Sequence, residues 1–240
     1  MGADTTHSEE RLARELKAGI TKRFVQVILT VVVQAVLLLL SAGKFAWWEA
    51  WVYIGIYLVG MAINATLMLR HSPETIAERA ESRGMKDWDR VISGLWAVLY
   101  FVMLVLAGLD ARFGWTGQIA LAIQVAGVVA FVLGGALFSW AMVSNAYFAA
   151  VVRIQEDRGH TVCTTGPYRY VRHPGYVGAI LQSLAAPLMF GSLWALIPGG
   201  MAVLLIVART VLEDRTLLEE LQGYTEYAER VRYRLLPGVW

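Results

Sequence analysis

The chain has 240 residues, of which 57% are hydrophobic and 17% charged, with a net charge of +2. A soluble domain of this size carries about a quarter charged residues, and one core of this length is too small to hide the apolar surplus, so lipid is its natural solvent. The single cysteine, Cys163, excludes an internal disulfide and a cysteine metal cluster.

Residues 1–23 are polar and include acids, unlike a cleavable signal peptide, and are expected to form a cytosolic amphipathic segment. Gly2 follows Met1, but Thr6 and His7 make a poor myristoylation signal. The uncharged runs 24–43, 50–69 and 91–109 each predict a helix of roughly 30 Å, the thickness of the hydrocarbon core. A further uncharged run, 113–152, predicts a long fourth helix over 118–143 that continues into a cytosolic extension at 144–152. Residues 174–208 are interrupted by Pro187, Gly191 and Pro198-Gly199-Gly200. Two short helices in a hairpin, about 177–190 and 193–208, fit this pattern, with one long kinked helix as the alternative.

Basic residues decide the orientation. Of the 21 Lys and Arg, only Lys44 and Arg112 fall outside four segments: 1–23, 70–90, 153–173 and 209–240. A return hairpin puts these four on one side, which the positive-inside rule makes cytosolic. The expected architecture is therefore an all-α polytopic membrane bundle. It has four spans plus a C-terminal helical hairpin, five to six membrane segments, and both termini cytosolic. Its regions are 1–23, the four-span block 24–144 with its loop 70–90, and a carboxyl-terminal region 145–240. Trp47, Trp48, Trp51, Trp88, Trp96 and Trp115 lie near span ends, as interface anchors do, and Gly134-Gly135 reads as close helix packing. The spans carry no Asp, Glu, Lys, Arg or His, which weighs against an ion-coupled pump.

Chemistry concentrates in two places. Residues 153–178, RIQEDRGHTVCTTGPYRYVRHPGYVG, crowd hydrogen-bonding side chains onto a backbone broken at Gly166-Pro167 and Pro174-Gly175. From composition alone, lipid-headgroup binding explains this loop as well as a site does. In the tail, Arg209, Glu213, Thr216 and Glu220 recur at helical spacing, predicting a cytosolic helix through Leu221 that ends near Gly223. Solvated helix faces are the plainer reading of its acids, Glu213-Asp214 and Glu219-Glu220. His160 and His173 match no metal-ligand spacing. Asp87 and Asp89 read as structural or interfacial, with a gate over the site as the other option.

The run Gly166-Pro167-Tyr168 through Arg172-His173-Pro174, Tyr176 and Gly178 resembles the signature of the membrane methyltransferases that include isoprenylcysteine carboxyl and phospholipid methyltransferases. Gln155, Arg158-Gly159-His160 and the tail Arg209, Glu213, Leu217, Gly223-Tyr224 and Tyr227 are similar to the family too, over about 145–240. Where the family has two glutamates, this chain has Glu213-Asp214. The resemblance implies S-adenosylmethionine (S-adenosyl-L-methionine) bound on the cytosolic side between loop and tail helix. Tyr168, Tyr170, Arg172, His173, Tyr176, Gly178 and Glu213 are its candidate contacts, and Arg209, Glu213, Asn145 and Arg153 are the candidates for acceptor orientation and catalysis. The implied partners are membrane lipid and a lipophilic or small-molecule methyl acceptor, with no metal and no nucleic acid. The expected location is the bacterial inner membrane. The competing function is a small-molecule transporter or a non-catalytic scaffold.

Overall fold

A computed structural model describes the backbone of residues 2–240 and the side chains of residue 11 and of 13–240. The amino-terminal acylation question turns on Met1 and on the Thr6 and His7 side chains, which lie outside the described residues. Among the described residues eight α-helices follow one another: α1 (Gly2–Ala42), α2 (Trp48–His71), α3 (Pro73–Glu78), α4 (Asp87–Phe113), α5 (Leu121–Ser144), α6 (Pro174–Phe190), α7 (Leu196–Glu220) and α8 (Tyr224–Arg230). Among the described residues there is no strand. Ala13–Ala42 of α1 and the whole of α2, α4, α5 and α7 are long and apolar enough to cross a membrane. The protein is thus an integral membrane helical bundle. Its outer faces carry exposed Val25, Leu29, Leu40, Val59, Leu133 and Leu204, side chains that lipid would cover. Several hydroxyls inside the spans bond back to their own helix, as Thr30 does to the Gln26 carbonyl and Ser183 to that of Ala179, which satisfies them without water.

α6 has 17 residues, about 26 Å of helix, and turns at Gly191 into α7. Gly191 sits at φ 69, a left-handed cap that side chains disfavour. The expected breakers behave differently from one another. Pro187 lies inside α6, whereas Pro198 falls in the first turn of α7, where its missing N–H is needed by no partner. α7 then runs without interruption from the apolar block to Glu220, so the last apolar helix and the tail helix are one rod.

The expected extension of the fourth helix is not helical. α5 stops at Ser144, Asn145 is extended at φ −119 and ψ 108, and its side-chain oxygen accepts the Tyr147 N–H at 2.9 Å. That local turn competes with a further helical turn, and an irregular segment follows.

α5 and α6 pack most intimately, through facing glycines. A Cβ on Gly134 would lie 2.8 Å from the Gly178 carbonyl oxygen, and one on Gly178 would lie 2.5 Å from that of Gly134. The core beneath joins Leu38, Tyr53, Leu104, Phe131, Met189 and Phe190. Trp47 belongs to this core, 3% exposed with its ring 5.5 Å from that of Phe190, while Trp48, Trp51 and Trp115 are exposed as interface anchors would be.

The bundle has two polar ends. At one, buried Asp110 accepts the Thr116 amide and the Thr116 and Ser192 hydroxyls, and Lys44 reaches the Ala111 carbonyl. At the other, Lys22 pairs with Glu81, Arg153 with Glu78 and Lys86 with Glu220. The four basic segments therefore meet at a single end.

Candidate active site

At that end the 166–173 segment folds against α7 and the tail. Gly166, at φ 57, starts a short 3-10 turn (Gly166–Arg169), and a Cβ there would lie 2.2 Å from the Ser144 hydroxyl, so only glycine fits. Pro167 pre-sets the turn's first residue. The chain then presents Arg172 and His173 to Asp214, whose carboxylate is fully buried. Arg172 donates through Nε and Nη2 to the two Asp214 oxygens at 2.8 and 2.9 Å, a bidentate fork. Its Nη1 reaches the Val231 and Arg232 carbonyls, each at 3.2 Å. His173 Nε2 lies 3.2 Å from Asp214, and Tyr224 and Arg234 donate to the same carboxylate at 2.9 and 2.8 Å. The backbone amides of Arg172 and His173 donate to the Tyr233 and Arg234 carbonyls. Asp214 is the rivet between loop, helix and tail.

Its neighbour Glu213 projects elsewhere, because successive residues on a helix point about 100° apart. Glu213 accepts the Tyr176 hydroxyl and lines a cavity of ≈ 390 Å³. One turn earlier, Arg209 stands over the Tyr176 ring, 5.4 Å from its centroid. Arg209 donates to Asp89 through Nε and Nη2 at 2.7 and 3.2 Å and to the Ala150 carbonyl at 3.0 Å. Asp89 is fully buried and also accepts the Val152 amide at 2.7 Å and the Ser93 hydroxyl at 3.1 Å.

The far wall comes from the irregular segment after α5. Asn145 contributes its amide, 3.4 Å from the Tyr168 hydroxyl. His160 stacks on Tyr147 at 4.5 Å between centroids, and its Nδ1 accepts the Gln155 amide at 3.3 Å, which leaves the proton on Nε2. Burial first, then the Arg153 and Arg158 charges, pull His160 down to about 4, so it is neutral at pH 7. Burial pushes the Tyr168 phenol far above its ordinary range. The wall thus carries phenols, two imidazoles, an amide, one carboxylate and the guanidinium groups of Arg79, Arg153, Arg172 and Arg209, on a largely apolar floor.

The Isoprenylcysteine carboxyl methyltransferase (ICMT) family matches this chain over residues 125–221, which hold nearly all of α5, the loop, α6 and all of α7. Residues 125–221 are thus similar to that family. A probable protein-S-isoprenylcysteine O-methyltransferase of Oryza sativa subsp. indica is 25% identical over 112 residues, 45% of this chain and 59% of the relative. Protein-S-isoprenylcysteine O-methyltransferase B of Arabidopsis thaliana is 27% identical over 108 residues, 44% of this chain and 55% of the relative. The Schizosaccharomyces pombe protein-S-isoprenylcysteine O-methyltransferase is 28% identical over 102 residues, 41% and 43% of the two chains. The chain thus spans about half the length of the curated relatives it matches.

Within the matched residues the structure gathers Asn145, Arg153, Tyr168, Arg172, His173, Tyr176, Arg209 and Glu213 on the cavity wall. Two expected residues stand apart. Tyr170 is 61% exposed, and Gly178 faces Gly134 in the α5–α6 contact. Arg153 reaches the wall with its guanidinium committed to Glu78 at 2.7 Å and Asp157 at 3.2 Å. Sequence reasoning missed Asp89 as the partner of Arg209 and left Asp214 without a role. The first sits 120 residues from Arg209, so no spacing rule could join them. A signal for the second existed: an acid beside Glu213 and a nearby Arg-His pair are complementary in charge.

Proposed function

We propose that the protein transfers a methyl group from S-adenosylmethionine to an apolar or membrane-partitioned acceptor, a thiol, carboxylate or amine, at the cytosolic face of the membrane. One observation carries the reading. The 166–173 loop and the tail helix, far apart in sequence, enclose a cavity that shares walls with a second cavity of ≈ 980 Å³ lying among the membrane helices. A soluble donor and an insoluble acceptor can meet only where two such spaces join.

The donor's chemistry fits the smaller cavity. Its volume lies in the range of small-molecule sites, and its wall offers a carboxylate, an amide and aromatic rings to a molecule that is cationic at sulfur, zwitterionic at one end and aromatic at the other. S-adenosylmethionine, when bound, supplies a methyl group already activated by its sulfonium. The protein's task is then alignment and exclusion of water. Glu213, braced by Tyr176, takes the donor's amino or ribose groups. The His173 ring, 5.7 Å from and nearly parallel to that of Tyr176, borders the donor while Asp214 fixes its orientation. Arg172 acts by clamping the loop, since its Nε, Nη1 and Nη2 are already engaged. Arg209, held by Asp89, orients the acceptor, and Asn145 closes the opposite side. The catalytic region 145–240 therefore borrows Asp89 from the four-span block. The membrane is the bacterial inner membrane, both termini lie in the cytosol, and α6 with α7 forms the return hairpin.

Thermal-shift titration of the detergent-solubilised protein with S-adenosylhomocysteine tests this directly, since a ligand that binds only the folded state stabilises it. Stabilisation is expected, followed by incorporation of labelled methyl into a lipid extract or a panel of hydrophobic thiols. A protein that neither binds the spent donor nor labels any acceptor would leave the transporter or scaffold reading standing.

A further inference from the structure

Residues 161–173 and 231–240 hold four arginines and no acid. Two of them, Arg172 and Arg234, are spent inside on Asp214. The other two, Arg169 and Arg232, are exposed and have no ion-pair partner among the described residues. Lys22 and Lys86 at the same end, by contrast, hold Glu81 and Glu220.

Apolar side chains share this surface. After buried Leu235 the chain closes a hook. The Val239 and Trp240 amides return to the Leu236 carbonyl at 3.1 Å, the Arg234 and Leu235 amides donate to the Trp240 carbonyl at 3.0 Å, and Gly238 turns at φ 81. The Arg234 guanidinium covers the Trp240 ring, 5.2 Å from its centroid. The hook leaves Leu236 and Val239 53% and 77% exposed, and Tyr170 and Tyr233 are exposed beside them.

α6 sets the height of this surface in the bilayer. The Arg172 and His173 amides donate to the Tyr233 and Arg234 carbonyls, both at 2.9 Å, so the tail lies against the N-cap of α6. With 17 residues, about 26 Å, α6 has no length to spare in crossing a hydrocarbon core of roughly 30 Å, which holds His173 at the level of the headgroups. Tyrosines, aliphatic tips and unpaired arginines at that level complement an anionic leaflet: the rings and aliphatic groups enter the boundary with the acyl chains, and the guanidiniums take phosphate.

We propose that Tyr170, Tyr233, Leu236 and Val239, with Arg169 and Arg232, form a docking surface for anionic phospholipids of the protein's own bilayer, and that docking holds the donor clamp shut. This rests on the return hairpin and the donor site proposed above. The link is Asp214. It ties Arg234 of the docked segment to Arg172 and His173 of the loop, and the His173 ring lies beside Tyr176 on the cavity wall. A tail anchored on lipid leaves the clamp fewer open positions, and donor affinity rises with the fraction of protein in the closed form.

Protein in nanodiscs of phosphatidylcholine, alone or mixed with phosphatidylglycerol, provides the test. Cys163→Ser/Val239→Cys carrying a polarity-sensitive fluorophore reports contact, because brominated acyl chains quench only a probe that reaches them. Quenching is expected in mixed discs. Unlabelled wild type should bind S-adenosylhomocysteine about fivefold tighter there than in phosphatidylcholine alone, the order that one arginine at an anionic leaflet supplies. Arg169→Gln/Arg232→Gln should cut that advantage below about twofold with affinity in phosphatidylcholine unchanged, whereas Arg169→Lys/Arg232→Lys should keep it, since the leaflet attracts either cation. The proposal is overturned by a probe that stays unquenched in mixed discs, as it would on a face turned to water or to a protein. Equal affinity in the two discs, an advantage that survives the glutamine pair, or inorganic phosphate producing the same tightening in phosphatidylcholine overturns it as well. Loss of S-adenosylhomocysteine binding in every disc, with the probe still quenched, would instead sink the donor site and leave the lipid surface standing.

Discussion

Two buried carboxylates, Asp89 and Asp214, each hold an arginine, and the consequences of removing either partner differ from those of removing a surface pair. Arg209→Ala leaves Asp89 fully buried without its counter-ion, a loss of roughly 3 kcal/mol of stability. A fall in activity in that variant therefore mixes chemistry with damage to the fold. The double variant Asp89→Ala/Arg209→Ala removes both charges, and its thermal midpoint should recover most of the loss while turnover stays more than about tenfold down. If turnover recovers along with stability, Arg209 takes no part in the reaction. Glu213→Gln is the cleaner test of the cavity carboxylate. It keeps an oxygen for Tyr176, so the fold should persist while S-adenosylhomocysteine binding weakens about tenfold or more. His160 gives a third prediction at this scale. Its folded value of about 4 lies below the unfolded value near 6.5, so between the two the unfolded chain holds a proton that the folded chain lacks. Stability from this group is complete above about pH 6.5 and is lost as pH falls toward 4. Allowing for the part-exposed ring, the change is roughly 1–2 kcal/mol. Thermal midpoints of wild type and His160→Gln measured from pH 7 to 4 should converge at the acid end; parallel curves would show that His160 is not held neutral.

At the scale of elements, the α5–α6 contact should tolerate no added carbon at Gly178. Its Cβ would meet the Gly134 carbonyl oxygen at 2.5 Å and the Phe138 amide at 2.9 Å, both backbone atoms of a helix that cannot yield locally. At Gly175 the nearest atoms belong to the Phe148 ring edge, 2.9 Å away, and a ring can turn. Gly178→Ala should therefore lower the thermal midpoint well beyond Gly175→Ala, by roughly 1–3 kcal/mol of overpacking. Equal loss in the two would mean that the helices are not pressed together there. The same helices show what a one-dimensional reading catches. Uncharged runs of about 20 residues announced α1, α2 and α4, because the length of a lipid-soluble helix is set by the bilayer. Gly134 announced close packing, though not that its partner was Gly178, which the signature alone assigns to the donor. The expected helix 118–143 stops one residue short of the end of α5, but Ala146, Tyr147 and Phe148 are ordinary helix residues and gave no sign that the segment beyond is irregular. It is the Asn145 side chain that captures the next amide and ends the helix. Trp47 was misread for a related reason: a tryptophan at a span end suits the interface or the core equally, and only Phe190, 143 positions away, decides between them.

For the whole molecule, the decisive property is that the cavity and the four basic segments share one end. The basic bias predicted that end, and the ion pairs from Lys22, Lys86 and Arg153 to Glu81, Glu220 and Glu78 bring together the same segments. The cavity walls come from three of those segments and from α7, so they form one enclosure only if the loop, the tail and the start of α4 share a side of the membrane. Cysteine labelling in cells tests that arrangement. With Cys163 replaced by serine, single cysteines at Asp157 in the loop and Glu226 in the tail should react with a membrane-impermeant maleimide only after the inner membrane is opened. A cysteine at Phe45, 76% exposed in the turn between α1 and α2, should react in intact spheroplasts. The three positions are exposed, so accessibility reports sidedness and not burial. If Asp157 and Glu226 label from opposite sides, α6 and α7 do not return the chain, the Arg172–Asp214 clamp cannot form in the membrane, and no donor pocket exists. If both label from the outside with Phe45 protected, the clamp survives but the bundle is inverted, and a cytosolic donor has no access to it.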